Sequence, residues 1–439
     1  MKFRSLGGPT RRYFELLGDC ISGRWIEANL SEAAFSRIAD QELRKRPAHA
    51  NVDVNDLLAW VAGSSNLPPQ LDIDATFARP PLTVYSGPDF NIDVLFWTNS
   101  TTSIHQHGFS GVFAVVAGSS LHCRYGFDVK RTLSESLQVG ALKLRHAKHL
   151  RAGDQHRISS GNRFIHSLFH LDNPSISLVI RTTASRVAGP QLTYLPPYIA
   201  LDPFRNTQES LRTRQFLGLL THLKDKRVWK FVERVIVARD FLTAWNVLMD
   251  LDLGEWPKSL VHYESRRAAL LCLIADIHRL DASELEAVLD ERRRIEHVVG
   301  LRAQVTNPEH RLFLALVLNL RSMTLVSAFV KQRFQNRHPV DTIVGWLRAM
   351  GNKTGINLDE HMLMMLDGML RGRDLLGCLR PFVQAYGKDE VERNRSALIE
   401  MHGDLSQALL LRTLVAQKGN TSRKLITRKR RQLLSSPRA

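Results

Sequence analysis

The order of apolar and polar positions divides this chain into three textures. In "RRYFELLGDCISGRWIEANL" and "SEAAFSRIADQELRKR" apolar residues recur every three or four positions, the spacing of a helix with one buried stripe. Asp53 or Asn55 can cap a short helix, "DLLAWVAG", that Gly63 ends. From "NLPPQLDIDATFARPPLTVYSGPDFN" onward, prolines and turn residues break up short runs rich in Val, Ile, Phe and Tyr. The runs "LTVYSG", "FNIDVLFW", "SIHQHG", "GVFAVVAG", "SLHCRYGFDV", "ALKLRHAKHL", "HRISSG" and "SISLVIRTT" predict closely spaced strands of an all-β sandwich or barrel. After the Pro-rich "VAGPQLTYLPPYIALDP" the helical period returns, from "ESLRTRQFLGLLTHLKD" to "LSQALLLRTLVAQ". No exact repeat period emerges, so a bundle and a solenoid both remain open for this part.

These textures predict an α+β multidomain protein. A helical segment over 1–66 precedes a β-sandwich or barrel over 67–185. A Pro-rich connector over 186–206 leads to an all-α domain over 207–417, and a basic tail follows over 418–439.

Charge adds one feature. The formal net charge is +17, with 60 Lys and Arg against 43 Asp and Glu, and part of the excess lies in "SRKLITRKRRQLLSSPRA". Such a tail offers salt-sensitive contact to polyanions, but no nucleic-acid recognition motif accompanies it. Cys20, Cys123, Cys272 and Cys378 are scattered and form no C-x-x-C. Their scatter points away from thiolate zinc and toward a reducing, cytoplasmic setting. The first residues lack the apolar run of a signal peptide, and no stretch reads as a membrane span.

Chemistry concentrates in the β part. His105 and His107 are one residue apart in a predicted strand, so both imidazoles face one side. The pair can hold a metal, or it can be two hydrogen-bonded histidines of a half-buried strand. In the helical part, Glu296–His297, Glu309–His310 and Glu360–His361 are neighbours. On a helix such neighbours splay about 100° apart, the wrong geometry for a shared ligand. No G-x-S-x-G and no phosphate-loop spacing is present.

From "FNIDVLFW" through "SIHQHGFSGVFAVVAGSSL", and again in "GDQHRISSGNRFIHSLFHLDNPSISLVI", the segment from Pro80 to Thr183 resembles the cupins, and among them the cysteine-dioxygenase-like branch. The resemblance implies a jelly-roll barrel and a metal held by His105, His107 and His166. Many cupins carry a glutamate after H-x-H; that position falls on Gly111, beside Val112, and neither can bind metal. Three imidazoles without a carboxylate are the arrangement of the thiol-dioxygenase branch. The implied metal is Fe(II), while zinc, nickel or manganese would also accept the site. His170 either orients a ligand histidine by hydrogen bonding or simply sits at the barrel mouth.

The departures carry information too. The cysteine that cross-links to a tyrosine in many cysteine dioxygenases falls on Val112, and Arg181 stands near the tyrosine position. The carboxylate-binding arginine has only a distant counterpart, Arg79. Tyr85, Tyr125 and Arg181 are the candidate substrate contacts. The expected activity is oxidation of a small, thiol-containing substrate by dioxygen. The competing expectation is a non-catalytic metal- or ligand-binding cupin that reports to partners through its basic helical domain.

Overall fold

The computed structural model describes residues 8–63, 67–71, 78–183, 189–253 and 263–415. The chain divides into two compact units between Arg293 and Arg294. The basic tail over 418–439 lies outside the described residues.

Helices α1 (Gly8–Glu27), α2 (Glu32–Lys45), α3 (Ala48–Asn51) and α4 (Val54–Gly63) open the first unit. On α1 the buried residues Tyr13, Phe14, Leu17, Ile21 and Trp25 keep the predicted helical spacing and form one stripe. That stripe meets strand β2 (Phe90–Trp97), which is buried on both faces. Phe90, Ile92, Val94 and Phe96 join Phe14, Leu17, Phe35 and Leu43 in one apolar core, while Asp93, Leu95 and Trp97 point the other way. Each such fully buried apolar side chain contributes on the order of 1.5–3 kcal/mol.

The remaining strands are β1 (Pro81–Ser86), β3 (His105–His107), β4 (Gly111–Ala117), β5 (Ser119–Ser134), β6 (Leu137–Arg151), β7 (Gln155–Ile158), β8 (Gly161–His170), β9 (Ser175–Thr182), β10 (Thr193–Leu195) and β11 (Ile199–Leu201). Their antiparallel pairings nest, β2 with β9, β3 with β8, β4 with β7 and β5 with β6, as in one long hairpin folded back on itself. The result is a sheet ordered β1-β2-β9-β4-β7 and a closed barrel ordered β10-β11-β6-β5-β8-β3. This is the strand order of a jelly roll, closed so that few edges stay open. Phe113 and Val115 of β4, Ile158 of β7, Leu150 of β6, and Phe164 and Leu168 of β8 fill its interior.

The Pro-rich stretch expected as a connector is part of the barrel. β10 pairs with β3, and β11 pairs with β6. Ile199 and Leu201 then share a core with Leu137 and with Trp229, Trp245 and Leu248 of the following helices. Those helices are α5 (Gln208–His222), α6 (Val228–Ala238), α7 (Phe241–Leu253), α8 (Tyr263–His278) and α9 (Ala282–Arg302). One shared core explains why the chain continues as a single unit past residue 206, where the pattern alone suggested a boundary.

The second unit is helical, with helices such as Pro308–Leu320, Pro339–Met350 and Glu360–Leu370. Asn307, Ser322, Asp359 and Asp374 cap four of its helices through side-chain oxygens. Glu309 accepts hydrogen bonds from Arg337 and Trp346, and Glu360 from Arg348. No helix among the described residues is long and apolar enough to cross a membrane.

One ion cluster ties α1 to α2. Glu42 is buried and binds Arg24 at 2.6 Å, Lys45 at 2.7 Å and Arg46 at 2.8 Å. Burial alone would raise this carboxyl, but the hydrogen bonds from Lys45, Arg24 and Arg46 outweigh it and hold it at about 2. Glu42→Gln is expected to cost roughly 2–3 kcal/mol at neutral pH, less than for a fully buried pair because the cations are partly solvated. An unfolded glutamate titrates near 4.3, so the contribution is whole above that range and lost as pH falls through the folded value. Urea unfolding of both proteins at pH 7 and at acid pH measures it; equal midpoints at pH 7 would remove the anchor.

Candidate metal centre

β3 is three residues long and sits between β8 and β10. The alternation of a strand turns His105 and His107 to one face, while Gln106 turns away and is buried. Gln106 accepts a hydrogen bond from the Tyr194 hydroxyl at 2.6 Å and donates to the Pro190 carbonyl at 2.8 Å. Residues 190–194 therefore pin the strand from its outer side.

The third histidine arrives by register. His105 lies directly opposite His166 across the β3–β8 pair, and directly opposed side chains of antiparallel strands are about 5 Å apart. The three rings have centroids 4.6, 4.7 and 4.9 Å apart. One ring nitrogen from each lies within 4.8 Å of the others, and among the described residues this is the only such cluster of His, Cys, Asp or Glu. Around a bound metal, with nitrogen ligands at 2.0–2.1 Å, those nitrogens need to be roughly 3.0–3.4 Å apart. The His107 Nε2 and His166 Nε2 atoms are already 2.8 Å apart. Small side-chain adjustments suffice, so the donor set fits a divalent ion.

Protonation state fits as well. His105 donates Nδ1–H to the Ser103 carbonyl at 2.8 Å, which leaves its Nε2 lone pair bare. Burial pushes all three imidazoles below the ordinary histidine range. The His105 charge adds to this at His107 and His166, and Arg181 adds to it at His107. At neutral pH the site is thus three neutral rings. His166 is buried, whereas His105 and His107 are half-buried and reachable from solvent.

No carboxylate joins them. A Cβ on Gly111 would fall 2.0 Å from the Ile180 carbonyl oxygen, so that position has no room for a glutamate. Val112 lies on the opposite face of β4, in the core against the N-terminal helices. Asp93 is the carboxylate on the inner face of β2. It already accepts from Arg181 Nε at 2.7 Å and from the Thr83 hydroxyl at 2.8 Å.

The other expected site residues divide. Arg181 is on the inner side of β9 and lowers His107 by its charge; Phe109 contacts both, 4.5 Å from the His107 ring and 5.7 Å from the Arg181 guanidinium. Tyr85 is not at this site. Its ring packs on Phe90 and its hydroxyl reaches Asp19 of α1, an approach that Gly18 permits because a Cβ there would fall 2.3 Å from the ring. Tyr125 is also elsewhere, since it follows His122 by three residues and takes the opposite face of β5, with its hydroxyl 3.5 Å from Ser167.

His170 is not the partner of His166. Four residues along a strand span about 13 Å; His170 instead stacks on Trp97 at 4.4 Å and meets the Ser120 hydroxyl at 2.9 Å. The partner is His122, which is fully buried and whose Nε2 is 3.1 Å from His166 Nδ1. The signal for it was the alternation Ser120-His122-Arg124 on one face of a strand; what the sequence lacked was which face turned inward.

No protein-family model matches the sequence, and no curated protein sequence is similar to it. The solved structures it resembles include cupin and double-stranded β-helix proteins. A cupin-2 domain protein of Shewanella frigidimarina is 15% identical, with 23% of this chain and 78% of that one covered and a TM-score of 0.16. A double-stranded β-helix protein of Klebsiella pneumoniae is 16% identical over 28% of this chain and 92% of that one, with a TM-score of 0.18. An oxalate oxidase is 17% identical over 28% and 59%, with a TM-score of 0.19. The jelly roll follows from the chain's own strand order.

Proposed function

We propose that the jelly roll holds a divalent metal, Fe(II), on His105, His107 and His166 and oxidises a small, thiol-containing substrate with dioxygen. The observation that carries this reading is the convergence of three imidazoles, two of them half-buried and one buried, without a carboxylate. Bound Fe(II) would supply open positions at which substrate and dioxygen meet in a fixed orientation. Because the ligands are uncharged, nothing in the donor set offsets a dication, which favours an anionic ligand such as a thiolate. Arg181, held against Asp93 beside His107, would orient an anionic group of the substrate, and Phe109 would form an apolar wall next to it. This departs from a plain cysteine dioxygenase, since Val112 and Arg181 stand where the cross-linked cysteine and tyrosine would be.

The test is metal analysis of protein purified without oxygen, followed by oxygen-electrode measurements with a panel of small thiols. Roughly one iron per chain, with thiol-dependent oxygen uptake that His166→Ala abolishes, is the expected result. Metal without substrate-dependent uptake would favour the non-catalytic sensor reading. Absence of metal from protein that is otherwise folded would overturn the oxidation reading and leave a ligand-binding cupin.

A further inference from the structure

We propose that His122 is a positioning residue for the metal centre: its Nε2 accepts the proton on His166 Nδ1 and so leaves His166 Nε2 as the ligand atom. This rests on the metal reading above. His122 is fully buried, edge-on to Phe113 at 5.4 Å and stacked near Phe164 at 6.1 Å. An imidazole is costly to bury in such surroundings unless it is hydrogen-bonded. Its one hydrogen-bond contact among the described residues is the 3.1 Å approach of Nε2 to His166 Nδ1, and its Nδ1 is buried without a partner there.

The three rings His107, His166 and His122 therefore form a chain joined by two nitrogen contacts, of 2.8 and 3.1 Å. The chain can run in two directions. In one, His122 Nε2–H donates to His166 Nδ1; the His166 proton then sits on Nε2 and points at His107, which blocks that nitrogen as a ligand. In the other, His166 Nδ1–H donates to His122 Nε2, the His122 proton moves to its own Nδ1, and the His166 Nε2 lone pair accepts from His107 Nε2–H until the His107 proton moves to its own Nδ1 and frees both Nε2 atoms for a metal. Only the second direction binds metal through Nε2. All three rings stay neutral in both, so the change is tautomeric and the protons are conserved. The unpartnered His122 Nδ1 leaves the far end of the chain open, so His122 can take either tautomer and follow the one that loading requires.

The experiment uses full-length protein stripped of metal, with Zn2+ as a diamagnetic probe in competition with a chelator. His122→Phe should bind Zn2+ roughly 10–100-fold more weakly than wild type. His122→Gln, whose side-chain carbonyl can accept from His166 Nδ1, should recover most of that loss. In Zn2+-loaded wild type, 15N NMR should find His166 protonated at Nδ1 and metal-bound at Nε2. Wild-type affinity in His122→Phe, no recovery in His122→Gln, or zinc on His166 Nδ1 would each overturn the proposal. If His122→Phe does not fold, the glutamine variant and the wild-type spectrum decide. If wild type itself binds neither Zn2+ nor Fe(II), the metal reading fails first, a result visible before any variant is made.

Discussion

His166→Ala is expected, under the proposed function, to remove the metal from the purified protein, and His105→Ala or His107→Ala should do the same. Each imidazole supplies one of only three donors, and no carboxylate stands by to replace it, because Gly111 has no room for one and Asp93 is engaged by Arg181 and Thr83. Two neutral imidazoles rarely hold an exchangeable divalent ion where three or more ligands are the rule. The loss should leave the fold in place. His105 and His107 are half-buried on a strand held by backbone pairing on both sides, and the barrel core lies in Phe113, Val115, Leu150 and Ile158. His170→Ala is the control: it removes a ring stacked on Trp97, about 13 Å along β8 from His166, and should keep its metal. Metal analysis alongside circular dichroism checks all four variants. Wild-type metal content in His166→Ala would place the site elsewhere.

Asp93→Ala should lower stability by roughly 3–5 kcal/mol, the usual cost of breaking a buried ion pair from one side. The Asp93 side chain is 6% exposed and that of Arg181 24%, so removing the carboxylate leaves a guanidinium on the inner face of β9 beside His107, whose protonation it already disfavours. Arg181→Met should be costly for the opposite reason, stranding a carboxylate with only the Thr83 hydroxyl. The double variant Asp93→Ala with Arg181→Met should recover much of the loss, because neither charge is then buried alone. Thermal unfolding of the four proteins closes the cycle, and strict additivity would show that the pair does not act as one unit. Under the proposed function, Arg181→Met should also weaken an anionic substrate while leaving metal content unchanged, which separates its role from that of the histidines.

Much of the fold was legible because it rests on local periodicity. The α1 stripe Tyr13, Phe14, Leu17, Ile21, Trp25 and the two-faced β2 run are written in spacing that backbone geometry alone imposes. The cap read at Asp53 is likewise local, since its side chain accepts from the Asp56 amide three residues away. The unit boundary was not legible, because Ile199 and Leu201 reach Leu137 and Trp245 only after the barrel has closed. Short strands such as Thr193–Leu195 also carry too few residues to display a period against a background of prolines.

For the site, the sequence by itself determined that His105 and His107 share a face, because alternation along a strand leaves no other choice. It also determined that no carboxylate follows at Gly111. His166 was named by the resemblance, and only the tertiary structure decided which side chains meet it. The β3–β8 register sets His166 opposite His105, and the β5–β8 pairing sets His122 beside His166. The inward turn of β9 places Arg181 near His107, while Tyr85 faces α1 and Tyr125 takes the other side of β5. The physical reason is that the residues standing opposite each other depend on how strands pair, and these partner strands are far apart in the chain. Which histidines meet is settled by the pairing and closure of strands far apart in the chain.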